Sequence, residues 1–162
     1  MGHFGLWITR ITPPERGIFL SMSFEQLPTD WPDHPLTDPT FAADVVDLMV
    51  SLGDRHQGTL AAILCQPDHR YRATVIIELP SSPGPARADL CRPALEPIVT
   101  SLQSVPGTSV ILALGRRPNP IAHDEEWAST AAAVCEAAGV PLLGFYVATK
   151  DGVHRSALAA LT

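Results

Sequence analysis

The chain is poor in the residues that several function classes need. Only 17% of it is charged and the balance is −6. Its lysines and arginines form no block that would suit a phosphodiester backbone or an anionic lipid surface, so neither nucleic acid nor membrane is an expected partner. No apolar run approaches the roughly 20 residues that cross a bilayer. Gly17–Met22 is too short for the apolar core of a secretory signal, and the expected compartment is the cytoplasm. Cysteine is scarce: Cys65, Cys91 and Cys135 are odd in number and form no C-x-x-C, which argues against a disulfide framework or a zinc knuckle. Cys65 and Cys135 fall in apolar segments and read as small core hydrophobes. No G-x-G-x-x-G or G-x-x-x-x-G-K-[ST] follows any apolar run, so dinucleotide-binding and P-loop readings are set aside.

What is present is apolar material in short, punctuated runs. Hydrophobic residues are 46% of 162, enough for one domain around one core. The 16 prolines gather near the amino end and in loops, so residues 1–38 read as an irregular arm and 39–162 as the folded domain. Met22 opens "MSFEQLPTDW" as a sensible start, and residues 1–21 read as an upstream extension from a misassigned start codon.

A helix is expected at Pro39–Leu52, with Asp38 as its cap and Gly53 as its stop. "GTLAAILCQ" and "YRATVIIEL", separated by "PDHR", read as an antiparallel hairpin. Leu95, Ile98, Val99 and Leu102 mark a second helix strained by Pro97. "TSVILAL" is apolar throughout, as a strand buried on both faces should be. A third helix spans Asp124–Ala138, stopped by Gly139, and "PLLGFYVAT", "KDG" and "VHRSALAAL" give a strand, a turn and a closing strand or tail. The fold class is therefore α/β: a single three-layer domain whose mixed sheet has an antiparallel hairpin followed by parallel strands.

The stretch from Val45 to Arg155, with "VILALGRRPNPIAHDEEWASTAAAVCEAAGVPLLGFYVATKDG" at its centre, resembles the JAB/MPN metalloprotease fold, the RadC-like branch especially. In that family a buried strand ends in a His-x-His-Pro loop, and a Ser and an Asp follow at a helix start. Pro118 matches the family proline, and "AAGVPLLGFYV" matches the approach to the next strand. Gly115 and Arg117, however, stand where the two zinc-binding histidines belong. The Ser and Asp positions fall on Glu125 and Ala128 without a gap, or on His123 and Glu126 with a two-residue deletion. Glu78 is nearest by location to the family's general base. A catalytic zinc needs three protein ligands and an open position, so the resemblance implies a site without metal, cofactor or inherited catalysis. The topology is also similar to that of cytidine deaminases, but H-x-E and P-C-x-x-C are missing.

Arg116 and Arg117 follow a central strand and precede a helix start, a location that favours anions. Asp124, Glu125 and Glu126 crowd the same helix start and offer the arginines partners within the loop. His123 reads as an exposed cap residue, with a metal-ligand role beside Asp124 or Glu126 as the alternative. His56, His69 and His154 show no ligand spacing, and no G-x-S-x-G accompanies Ser81 or Ser82. Trp127 reads as a core anchor, whereas Trp31 either folds back over the sheet or docks on another subunit. Three functions remain open: a non-catalytic domain that binds a protein partner or forms a homo-oligomer; a metal-dependent hydrolase or isopeptidase using Glu78, His123 and Glu126; and a binder of a small anionic ligand through Arg116 and Arg117.

Overall fold

The computed structural model describes residues 7–12, 27–80, 88–118 and 123–156. At its centre is β4 (Ser109–Gly115), "SVILALG", in which every residue is buried. A run apolar on both pleats must be covered on both faces. β2 (Thr59–Cys65) lies antiparallel along one edge of β4, and β5 (Leu142–Thr149) lies parallel along the other. β3 (Tyr71–Glu78) pairs with β2, β6 (Gly152–Arg155) with β5, and β1 (Trp7–Thr12) with the outer edge of β3. The order across the sheet is β1-β3-β2-β4-β5-β6. Among the described strands its parallel part is the single pair β4–β5, because the turn at Lys150–Asp151 sends β6 back antiparallel. The α/β character and mixed sheet expected from the sequence are present.

Helices cover both faces, and each face has its own core. On one, α3 (Cys91–Leu102) and α4 (Asp124–Ala138) bring Leu95, Val99, Trp127 and Ala131 against Leu60, Leu112, Phe145 and Val147. On the other, α1 (Pro39–Met49) brings Val45, Val46 and Met49 against Ala61, Ile76, Ile111 and Tyr146. α4 keeps its expected bounds and ends on Gly139 at φ 73°, the left-handed cap that glycine adopts without a Cβ penalty. Pro97 lies inside α3 on the exposed side, where solvent can serve the carbonyl that loses its N–H partner.

Two segments depart from expectation. Trp7–Thr12, inside the arm read as irregular, forms β1; "WITRIT" is β-branched and aromatic, and the prolines follow it rather than interrupt it. The remainder of residues 1–21 lies outside the described residues. Further along the arm, Trp31 folds back, 6% exposed, and meets Tyr71 edge-on with ring centroids 4.9 Å apart. The first helix also stops earlier than expected, at Met49. Ser51 and Asp54 form a reciprocal capping box that starts α2 (Leu52–Gln57), so Gly53 sits inside a helix rather than ending one. Leu52, expected on the buried face, is 42% exposed.

α2 is held down by a buried cation. Arg55 is 2% exposed and donates through Nε to the Val50 carbonyl at 2.9 Å and through Nη1 to the Thr149 carbonyl at 3.0 Å. Its Nη2 donates to the Asp47 carbonyl at 3.1 Å and to Asp47 Oδ1 at 2.7 Å. Asp47→Ala strands this guanidinium without its carboxylate and is expected to cost about 3–5 kcal/mol, read as a lowered urea midpoint. The double variant Asp47→Leu/Arg55→Met should recover part of that loss.

Candidate functional site

The loop singled out in the sequence leaves the carboxyl end of β4. Register places Glu78, Thr59, Gly115 and Ala148 side by side across the sheet, so Glu78 and Gly115 are two strands, or about 10 Å, apart. Side chains alternate along a strand. Glu78, Thr59 and Gly115 therefore share the pleat side of Ile76, Ala61 and Ala113, the face that α1 covers. α2 closes directly over this point: a Cβ on Gly115 would lie 3.0 Å from Thr59 Oγ1, 3.1 Å from Val50 Cγ1 and 3.5 Å from Arg55 Cα. A methyl group at Gly115 would therefore need Thr59 and Val50 to give by a few tenths of an ångström. The hydroxyl of Thr59 is buried there with no hydrogen-bond partner among the described residues.

The two arginines turn inward to the chain itself. Arg116 continues the pairing past β4, its N–H donating to the Ala148 carbonyl at 3.0 Å. Its guanidinium forks onto Asp124, Nε to Oδ1 at 2.8 Å and Nη2 to Oδ2 at 2.6 Å, with the two side chains only 15% and 23% exposed. Nη1 donates to the Arg117 carbonyl at 2.9 Å. A bidentate guanidinium–carboxylate pair is the strong form of this interaction, and an external anion at Arg116 would have to displace Asp124. Arg117 reaches the other way and donates through Nε to the His56 carbonyl at 2.9 Å, near the end of α2. Its Nη2 stands 3.1 Å from His56 Nε2. A guanidinium only donates, so His56 accepts there. α2 is thus tied from beneath by Arg55 and at its end by Arg117.

The remaining candidates ride on the opposite layer. His123 is the N-cap residue of α4, but its side chain makes no cap bond; instead Nδ1 lies 2.8 Å from Glu126 Oε1, an exposed contact one turn along the helix. Glu125 and Glu126 line an open groove of about 680 Å³ with Asp89, Arg92, Pro93, Ser129 and Thr130. α4 packs on the face opposite the one that Glu78 shares. The structure therefore brings His123 to Glu126 and Arg116 to Asp124, and leaves Glu78 apart from both. Among the described residues, no three of the His, Cys, Asp and Glu side chains are grouped so that they could hold a metal ion, and no helix is long and apolar enough to cross a membrane.

Sequence reasoning passed over Arg55 and placed His56 in a turn, whereas both lie in α2 and fix it in place. The signal was available in Ser51-x-x-Asp54, a helix-start pattern within "SLGDRHQ". No protein-family model matches the chain, and neither the curated proteins nor the solved structures include a significant match.

All three cysteines are free and buried. Burial pushes Cys65 and Cys91 from 9.0 up to about 12, and Cys135 up to about 11. A thiol whose folded pKa is raised binds its proton more tightly in the folded state, so its contribution is full below pH 9.0 and lost as pH rises toward 11–12. Native protein should resist a disulfide reagent at pH 8 until denaturant is added, and its urea midpoint should fall above pH 9. Gly115→Ala should cost about 1–3 kcal/mol by overpacking, and Gly115→His more, with no zinc gained; equilibrium unfolding and metal titration check both.

Proposed function

We propose that this chain is a non-catalytic α/β domain, similar to a degenerate JAB/MPN domain, that acts in the cytoplasm by binding a protein partner or by self-assembly. The single observation that carries the reading is the cover over Gly115. The position that a zinc-binding histidine would occupy is packed against Val50, Thr59 and Arg55, and the second such position, Arg117, is a cation turned onto His56. Two of the three ligands that a catalytic zinc requires are thus replaced by groups that cannot coordinate it. The element order is compatible with a JAB/MPN-like or a deaminase-like sheet; Pro118 and "AAGVPLLGFYV" favour the former.

A second reading, a hydrolase with an altered site, draws on the His123–Glu126 contact, since a carboxylate that orients an imidazole is a common arrangement for a general base. Metal analysis of the purified protein separates the two. The first reading expects less than one metal ion per several chains and a melting temperature indifferent to chelators. Stoichiometric zinc that is lost in His123→Ala or Glu126→Gln overturns it in favour of the second.

A further inference from the structure

We infer that the outer edge of β3 is a strand-accepting site, and that a second copy of this chain fills it with its own Trp7–Thr12, so that copies assemble by exchanging edge strands. Among the described residues, β1 pairs with β3 and with no other strand. It runs antiparallel over Thr74–Glu78, and the register slips between Ile8 and Arg10, which leaves Thr9 as an extra residue without an opposite number. An edge strand held by one interrupted ladder belongs to the low-stability end of a fold.

The strand beneath it is the opposite case. β3 is paired along its other edge with β2, and Val75, Ile76 and Ile77 are buried. When β1 leaves, β3 presents a row of backbone donors and acceptors on a well-anchored apolar strand, which is a template for another strand. Trp7–Thr12 is the segment already matched to that row in direction and register. Residues 13–26 join it to the described body, a covalent link that reaches at most about 48 Å when extended, long enough to deliver the strand to a neighbouring molecule. In its own molecule the strand acts at an effective concentration of order millimolar, so exchange becomes visible in concentrated protein or when the internal strand is blocked. The inference deepens the assembly half of the proposed function, and metal analysis and strand exchange can fail separately.

Adjacent residues of a strand turn their N–H groups to opposite edges. Of Arg10→Pro and Ile11→Pro in the full chain, one therefore removes a bond to β3 and the other faces outward. A labelled peptide spanning residues 6–13, "LWITRITP", is titrated with wild type and both variants by fluorescence anisotropy. One variant and only one should bind it at least about tenfold more tightly than wild type. Amide exchange at Leu112 and Phe145 checks the rest of the sheet in the same samples. Equal binding by all three proteins overturns the inference, as does loss of protection at Leu112 and Phe145, which would make β1 inseparable from the core. Sedimentation supplies the last arm: wild type should form a dimer near millimolar concentration that excess peptide disperses. A monomer at every concentration, or a dimer indifferent to the peptide, overturns exchange between copies.

Discussion

Arg55 is a guanidinium sealed between α1, α2 and the end of β5, and the arrangement at the carboxyl end of β4 depends on it. Charge burial of this kind is tolerated where the donors are aimed at acceptors, and here three backbone carbonyls and one carboxylate oxygen take four of the five guanidinium N–H groups. The acceptors come from the end of α1, the residue after it and the last residue of β5. Satisfying the cation therefore fixes how those pieces meet. The same contacts seat a six-residue helix, too short to be stable alone, over Gly115.

That seating decides what the loop after β4 can do. With α2 closed over the strand end, Arg117 has the last turn of α2 within reach, and its charge complements the carbonyl end of that helix. Arg116 takes the other direction and joins the first turn of α4. One dipeptide thus fastens a helix on each side of the sheet. The acidic residues at the start of α4 complement its dipole, and Asp124 also neutralises Arg116. The loop reads as a joint between layers, and its charges are matched mainly by its own neighbours.

Much of the fold was legible because periodicity and punctuation agreed. β4 is an uninterrupted apolar run, the β2–β3 hairpin is marked by "PDHR", and α4 has acids at its start and a glycine at its end. α2 was missed because a glycine in "SLGD" reads as a stop, although the capping box formed by Ser51 and Asp54 outweighs it. β1 was missed because the proline count of the arm masked six residues of strong strand propensity. The candidate site was half legible. The pairing of arginine with a nearby acid follows from chain proximity, whereas the separation of Glu78 from His123 does not: it depends on which face each element covers, and the pleat side of a strand end is a tertiary property. Arg55 was invisible for the same reason, since nothing in "GDRHQG" tells a buried arginine from a solvated one.

The two cores also hold one tryptophan each. Trp127 is fully enclosed in the α3–α4 core, and Trp31 packs on Tyr71 in the α1 core. Each layer thus carries its own intrinsic chromophore, in a different electrostatic setting. Emission from the folded chain is a composite of these populations and that of Trp7, and a variant that keeps only Trp31 or only Trp127 reports on the loosening of a single layer.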